Sequence, residues 1–307
     1  MLFAVSANIS FAAVSDGMLL YYPFKTDGGQ SVSDASGHGY TGSVNGPSYV
    51  LGVVDGAYKF DGWDDFILTG NMGYQPIGTI SFWINADAVE NWRNPFSTDY
   101  AGWDDCIRFE EDSKAEFVNG ALGMGAGFYT TTMAPSRWYH IIYAWDAQNA
   151  YGYLDGRLVF TAAHPDPNSS VHPNIPGTAA YWKEQSLTFR NVCIGNGYST
   201  EADRHWKGLV DEVRMYNRVV TAAEAKQLFY LPIVQKEAEY ILSCQYMVAG
   251  APAYGAINDV MGDPTWIVPR ENGMAILGLI RASQLLNDPR YLTRAQLCAD
   301  YLVKIQD

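Results

Sequence analysis

The chain has 307 residues, of which 48% are hydrophobic and 17% are charged, so it has enough apolar side chains for a sizeable core and is not a disordered chain. Its 20 basic and 33 acidic residues give a net charge of −13, and a negative field of this size repels phosphate backbones. Nucleic acid is therefore excluded as a partner. No run reaches the roughly 20 apolar residues of a membrane-spanning helix, so the sequence predicts no membrane span.

The first residues indicate export. A short apolar core from Leu2 to Ala13 ends in small residues, as a signal peptide does before its cleavage site. The basic residues that usually precede such a core are missing, so either the true start lies upstream or this is an unusual first strand. We interpret residues 1–16 as the remnant of a signal peptide and expect an exported protein.

From Met18 to about Arg218 the chain consists of short alternating runs rich in Tyr, Phe, Trp, Ile and Val, separated by Gly, Asp and Asn. Runs such as TISFWINA and WYHIIYAWDA fit strands of about four to eight residues. Many short strands joined by turns are typical of a β-sandwich or barrel. In YGYLDGRLVF, Asp155 and Gly156 form the two-residue turn that tight hairpins prefer, so the flanking segments should pair.

One of these runs carries an acidic residue in an apolar setting. In KGLVDEVRMYNR, strict alternation puts Leu209, Val213 and Met215 on one face, and Asp211 falls on that same face. A buried carboxylate needs a partner. Glu212 points the other way and is interpreted as a solvated or Arg-paired residue.

After Arg218 the pattern becomes helical. Thr221 and Glu224 form a capping box, which predicts a short helix that ends near Phe229. Pro232 then breaks the chain and marks the predicted boundary between residues 17–230 and 231–307.

Beyond this boundary, apolar residues at helical spacing predict helices over VQKEAEYILSCQYMV, ENGMAILGLIRASQLLN and PRYLTRAQLCADYLVKIQ. The second is apolar on nearly every side and should be buried all round. Asp288 is the predicted N-cap of the third, whose apolar stripe is formed by Leu297, Tyr301 and Ile305. So much apolar surface on so short a segment indicates the opening of a larger helical domain, and we expect the natural protein to continue past its last residue here.

The order of these segments resembles a known family. The stretches YYPFKTDGGQSVSDASGHGYTGSVNG, GAYKFDGWDDFIL, TISFWINA, RWYHIIYAWDAQNAYGYLDGRLV and KGLVDEVRMYNRVVTAAEAKQLF together resemble the laminin-G-like, concanavalin A-like jelly roll domain common in secreted bacterial proteins. The resemblance covers residues 17–230 and implies two packed antiparallel sheets.

Residues 231–307 resemble the first hairpin of an α/α toroid, the architecture of six-hairpin glycosidases and polysaccharide lyases. The expected fold class is therefore mainly β, a jelly roll sandwich followed by a short all-helical segment.

The resemblance also implies a structural calcium ion. In the family, the acidic residue of a D-x-S-G segment lies close to the Asp of a D-E-V segment, and these match Asp34 and Asp211, with carbonyls from about Gly37 and Tyr40. Calcium prefers six to eight oxygen ligands, which carboxylates and turn carbonyls supply. His38 stands where family members often have Asn, and imidazole is a poor calcium ligand. The alternative is that Asp34 forms an Asx-turn while Asp211 accepts backbone or arginine hydrogen bonds.

Catalysis by the β domain is not expected. Retaining β-glucanases of the same class need an alternating E-x-D-x-x-E strand that places two carboxylates about 5 Å apart. Neither GLVDEVRMY nor IRFEEDSKAEF has this pattern.

The four cysteines, Cys106, Cys193, Cys244 and Cys298, have no zinc-like spacing and are interpreted as buried thiols. A bridge between Cys106 and Cys193 is left open, because an exported domain permits disulfides.

Aromatic residues in polar loops indicate a glycan surface. Trp63, Trp92, Trp103 and Trp182 lie in such loops, and exposed rings stack on the flat faces of sugars. The alternative is that each ring plugs an end of the sandwich.

From these features and the resemblance we predict a secreted, periplasmic or cell-surface lectin-like module of a larger polysaccharide-processing protein. That protein would be a glycoside hydrolase or polysaccharide lyase whose catalytic helical domain is truncated here. The alternative function is an adhesion or protein-interaction module without enzymatic activity.

Overall fold

The computed structural model describes residues 14–75, 77–90, 93–97, 106–109, 115–118, 128–129, 132–146, 148–163, 188–189, 192–196, 204–258 and 267–306. The chain divides into two compact units, the first ending at Phe229 and the second beginning at Tyr230. Residues 1–13 of the predicted signal-peptide remnant lie outside the described part.

The first unit is built from short strands. Their bounds are Met18–Tyr22 (β1), Ser31–Val32 (β2), Gly42–Asn45 (β3), Ser48–Leu51 (β4), Gly56–Asp61 (β5), Phe66–Leu68 (β6), Gly73–Tyr74 (β7), Gly78–Ala86 (β8), Phe96–Ser97 (β9), Cys106–Phe109 (β10), Ala115–Val118 (β11), Phe128–Tyr129 (β12), Trp138–Trp145 (β13), Asn149–Leu154 (β14), Arg157–Ala163 (β15), Thr188–Phe189 (β16), Cys193–Ile194 (β17) and Lys207–Tyr216 (β18).

These strands form two large antiparallel sheets. The first has the order β15-β14-β13-β8-β18-β5-β4, with β1 also paired to β18, and the second has the order β12-β11-β10-β9-β17-β6-β3-β2. Strands β7 and β16 form a separate pair. Phe82 of β8 stacks on Phe96 of β9 with ring centroids 5.5 Å apart, so aromatic side chains join the two sheets across the core. The predicted two-sheet sandwich is confirmed.

The predicted hairpin is also confirmed. Leu154 pairs with Arg157, and Asp155 and Gly156 between them have φ of 50° and 72°. Two consecutive positive φ values define the turn type whose twist matches that of the flanking strands.

Strand β18 contains a β-bulge that changes which residues face the core. Asp211 pairs with Trp83 and Arg214 pairs with Ser81, so β18 has one residue more than β8 over this interval. Glu212 absorbs the extra residue with a φ of 55°. Because the side-chain period is two, the bulge reverses the alternation: Val210 lies in the core before it, and Val213 and Met215 lie there after it. The prediction that Leu209 and Asp211 share a face with Val213 and Met215 is therefore wrong.

Helix α1 spans Ala222–Ser243, so the predicted break at Pro232 is wrong. Its capping box is confirmed, since the Thr221 N–H donates to Glu224 Oε2 at 2.7 Å and the Glu224 N–H donates to Thr221 Oγ1 at 3.2 Å. A proline inside a helix loses one backbone hydrogen bond, but it does not end a helix whose other contacts hold both flanking turns. In the first unit, Phe229 stacks on Trp83 with centroids 5.3 Å apart, which holds the N-terminal part of α1 against the first sheet.

Helices α2, Pro269–Leu286, and α3, Pro289–Lys304, pack together in the second unit. Asp288 caps α3 as predicted, since its side chain accepts from the Arg290 N–H. The prediction that α2 is buried all round is wrong: Met274 is 62% exposed and Leu277 is 69% exposed. The hydrophobic cluster of this unit buries Leu279 and Ala282 of α2, and so covers only part of the surface of the helix.

The buried stripe of α3 consists of Tyr291, Ala295 and Cys298 rather than the predicted Leu297, Tyr301 and Ile305. The toroid architecture stays a prediction.

Candidate functional site

The turn between β5 and β6 presents a tryptophan to solvent. Gly62 has a φ of 87°, which lets the chain reverse tightly after Asp61. The Trp63 N–H donates to Asp61 Oδ1 at 2.8 Å, and the Trp63 side chain is 69% exposed. Among the described tryptophans, by contrast, Trp83, Trp145 and Trp206 are buried and Trp138 is half-buried. Trp63 is therefore an exposed flat ring on a fixed backbone.

The same turn carries three clustered carboxylates. One oxygen from each of Asp61, Asp64 and Asp65 lies within 4.8 Å of the others. Asp61 and Asp64 are exposed, while Asp65 is buried and accepts a 2.7 Å hydrogen bond from the Asp61 N–H through Oδ2. Burial raises the pKa of Asp65 to about 6; the Asp61 N–H opposes this, and the charges of Asp61 and Asp64 add to it. This cluster was not predicted, although its three aspartates lie within the five-residue stretch DGWDD.

Arg93 supports the turn from the opposite side. Its guanidinium donates to Gly62 O at 2.7 Å and to His205 O at 3.0 Å through one nitrogen. Its other two nitrogens donate to Glu90 Oε2 at 2.9 and 2.7 Å. His205 is buried, and burial lowers its pKa, so its imidazole adds no charge near neutral pH. The guanidinium thus fixes the turn and is committed to groups of the protein itself.

The carboxylate of Asp34 accepts four hydrogen bonds. Oδ1 accepts from the Tyr21 N–H at 3.0 Å and the Ser36 N–H at 2.9 Å, and Oδ2 accepts from Ser36 Oγ at 2.8 Å and the Tyr40 N–H at 3.1 Å. Partial burial raises the pKa of Asp34, but these donors outweigh it, and the pKa lies below its usual value. The bond from Ser36 N–H makes this an Asx-turn.

The carboxylate of Asp211 is fully buried and accepts backbone N–H groups. Oδ2 accepts from Val53 at 2.9 Å and Val54 at 3.4 Å, and Oδ1 accepts from Glu212 at 2.7 Å. Burial and the charge of Glu212 raise the pKa of Asp211 above its usual value against the pull of these donors.

The hydrogen bonds to Asp34 bear on the predicted calcium site, because a calcium ion would need the same carboxylate lone pairs. A carboxylate has about four lone-pair positions, and N–H and O–H groups already occupy all four at Asp34. Tyr40 O accepts from Tyr22 O–H at 2.5 Å, and Gly37 lies in the exposed turn with a φ of 88°. As placed, these residues fit the alternative of an Asx-turn and a backbone-bonded Asp211 better than a calcium site. Calcium binding stays a prediction.

Glu212 is paired with Arg214, one of the two possibilities for this residue. Both side chains are buried, and they form an ion pair beneath Tyr21. The Tyr21 O–H donates to both carboxylate oxygens at 3.1 and 3.0 Å, and the Arg214 guanidinium carbon lies 4.1 Å from the centre of the Tyr21 ring. Burial lowers the pKa of Arg214, but the charge of Glu212 outweighs this and raises it. These groups satisfy one another, and we assign them to the fold.

Other predicted residues are placed only in part. Trp92, Trp103 and Trp182 lie outside the described residues. Cys106 and Cys193 both pair with Ser97, on opposite sides of β9, so their Cα atoms lie two strand spacings apart, roughly 9.5 Å. A disulfide needs less than about 7 Å, so the Cys106–Cys193 bridge does not form, and Cys193 is a buried free thiol.

Residues 69–226, just over half of the chain, match the family model described as the concanavalin A-like lectin/glucanases superfamily. The chain belongs to this superfamily. The matched segment lies within the sandwich unit, and the family resemblance found in the sequence is confirmed.

Solved structures with the same fold come from carbohydrate-active and binding proteins. One is domain 4 of AbnA, an extracellular arabinanase from Geobacillus stearothermophilus in complex with arabinotriose, with 15% identity, a TM-score of 0.50, and coverage of 69% of this chain and 97% of that one. Another is Trypanosoma rangeli sialidase in complex with sialic acid, with 15% identity, a TM-score of 0.52, and coverage of 70% and 33%. A third is the binding domain of Paraclostridial Mosquitocidal Protein 1, with 13% identity, a TM-score of 0.51, and coverage of 76% and 54%. The matched part is therefore about a third of the sialidase, and the likeness to all three concerns the fold.

No curated protein matches the chain. Among the described helices, none combines the length and apolar character needed to cross a membrane.

Proposed function

We propose that the superfamily sandwich binds carbohydrate and that Trp63 is its stacking residue. The observation that carries this is the 69% exposure of a tryptophan ring whose backbone is fixed by Asp61 and Arg93. A flat aromatic ring packs on the apolar face of a sugar, and adjacent carboxylates accept hydrogen bonds from its hydroxyls. The superfamily match and the arabinotriose-bound domain support the same ligand class.

We also propose the setting of this module. It is a non-catalytic binding domain of a larger exported protein that processes polysaccharide, as domain 4 is one part of an extracellular arabinanase. The apolar core at Leu2 to Ala13 supports export.

Isothermal titration calorimetry tests the binding proposal, with arabinotriose and an array of neutral and acidic oligosaccharides as probes. We expect Trp63→Ala to weaken binding of the glycans that the wild type binds by about tenfold or more, since an aromatic contact contributes about 1 kcal/mol and sugar stacking also buries area. Leu158→Ala is the matched control, because Leu158 is also an exposed apolar side chain, at 52%, on β15 at the far edge of the same sheet.

Two outcomes contradict the proposal. If no glycan binds and a protein partner is captured through the sandwich instead, the unit is an adhesion module. If glycans bind equally well to Trp63→Ala, the binding surface lies elsewhere on the chain.

A further inference from the structure

The Trp63 turn carries an asymmetric set of charges. Asp61 and Asp64, close to Trp63 in the chain, are exposed, and Asp65 is buried. The superfamily match says nothing about which sugars such a surface takes, but the charges that a bound sugar would meet are fixed by the structure.

The basic side chains near the Trp63 turn are largely engaged by other groups of the protein. The Arg93 guanidinium is occupied by Glu90 and by the carbonyls of Gly62 and His205. Lys59 is ion-paired with Asp87. The Lys207 side chain packs against Gly62 and offsets one negative charge. His205 is buried with a lowered pKa and stays neutral.

Among the acidic side chains of the turn itself, Asp61 and Asp64 are the two that face solvent. Burial is the main cause of the raised pKa of Asp65, and the charges of Asp61 and Asp64 add to it. Carboxylates are acceptors for sugar hydroxyls, but they repel the carboxylate of a uronic or sialic acid.

We propose that the Trp63 turn selects glycans without carboxylate groups and rejects uronic and sialic acids through Asp61 and Asp64. This inference rests on the proposed function, since it describes the ligand class of the same site. A carboxylate held about 5 Å from these two charges at a partly exposed surface should bind about tenfold more weakly than its neutral counterpart.

The experiment compares three chains on one glycan array that holds neutral, uronate-bearing and sialylated oligosaccharides, at low and at physiological salt. The chains are the wild type, Asp61→Asn/Asp64→Asn, and Trp63→Ala. We expect the wild type to bind only carboxylate-free glycans in a Trp63-dependent way. The double variant should gain about tenfold on uronate-bearing or sialylated glycans at low salt, with a smaller gain at higher salt because ions screen exposed charges.

Circular dichroism of each variant checks that it is folded. This control is needed because Asp61 Oδ1 accepts the Trp63 N–H, and Asp61→Asn must keep that hydrogen bond. Three results overturn the inference. Wild-type binding of acidic glycans through Trp63, as tight as that of neutral ones, refutes it and leaves the proposed function standing. An unchanged preference in the double variant shows that charge is not the cause of the selectivity. If no glycan binds in a way that depends on Trp63, the proposed function is refuted, and the inference with it.

Discussion

The two units satisfy their buried polar groups by different means. In the sandwich, Glu212 and Arg214 bring an ion pair into the interior, where Tyr21 donates to Glu212, and the buried Asp211 carboxyl accepts backbone N–H groups. In the described part of the helical unit, neutral amides do this work: Asn272 exchanges hydrogen bonds with both backbone groups of Ile257.

The comparison shows that the stability of the sandwich depends on keeping each buried charge together with its partner. A buried ion whose partner is removed loses far more than the pair contributes, whereas a neutral amide leaves only unsatisfied hydrogen bonds behind. Among the described residues, the shorter helical unit also exposes more large apolar side chains than the sandwich does, with Leu277 at 69% and Val303 at 63%.

The largest expected effect comes from Arg214→Ala. It leaves the Glu212 carboxylate buried without its cation, and we expect the sandwich to lose about 3–5 kcal/mol of unfolding free energy. Urea unfolding followed by tryptophan fluorescence measures this, because eight of the nine tryptophans precede Phe229. Arg137→Ala is the control in the same unit: Arg137 pairs with Asp155 but is 64% exposed, so its loss should cost under about 1 kcal/mol. Equal effects of the two variants would contradict the comparison.

Asn272→Ala should have the next largest effect, and in the helical unit. Asn272 is fully buried, and its loss leaves the N–H and carbonyl of Ile257 and the carbonyl of Val268 without this partner. We expect a loss of about 2–3 kcal/mol, visible in circular dichroism at 222 nm. Gln296→Ala removes an exposed amide that donates to Asp300 and should change little. If Asn272→Ala cost more than Arg214→Ala, neutral amides would be the more critical groups.

Asp65→Asn should show a smaller effect that depends on pH. Because its folded pKa, about 6, lies above that of the unfolded chain, ionised Asp65 costs stability. This cost is absent well below pH 4, where Asp65 is protonated in both states, grows between about pH 4 and 6, where the unfolded chain is ionised first, and is complete above 6. The variant should match the wild type near pH 3 and be about 1 kcal/mol more stable at pH 7, after allowance for solvent screening. A stability gain that is equal at both pH values would show that the charge is not the cause.

Calcium should have the smallest effect at Asp34. Since donors of the protein already occupy its oxygens, we expect calcium and EDTA to move the thermal midpoints of the wild type and of Asp34→Asn by the same amount. A calcium-dependent rise in the wild type that Asp34→Asn abolishes would establish the calcium site implied by the family resemblance.

Local chemistry accounts for the predictions that succeeded. The Asp155-Gly156 turn, the Thr221–Glu224 capping box and the Asp288 cap each depend on a few neighbouring residues, and all three are present in the structure. The predictions that failed depended on distant partners. A break at Pro232 is a reasonable local inference, but the helix continues, since Leu228 before the proline and Ala238 after it are each buried in a hydrophobic cluster.

The candidate site divides in the same way. Trp63 was predicted as a ligand-binding residue from its polar loop, and the structure shows its ring exposed. The commitment of Arg93 to Gly62 and His205 joins segments far apart in the chain, and no spacing in the sequence indicates it.

The sequence by itself determined the strand-rich character of the first unit and the local turns and caps, because these follow from alternation and short-range hydrogen bonds. The order of its segments carried the resemblance to the superfamily, which implied the two packed sheets. Tertiary structure alone decided the environment of the acidic pair in β18. One extra residue, matched against β8, reverses the alternation between Asp211 and Arg214. As a result, Asp211 meets the N–H groups of Val53 and Val54 and Glu212 meets Arg214, since a bulge is defined by its partner strand and not by its own letters.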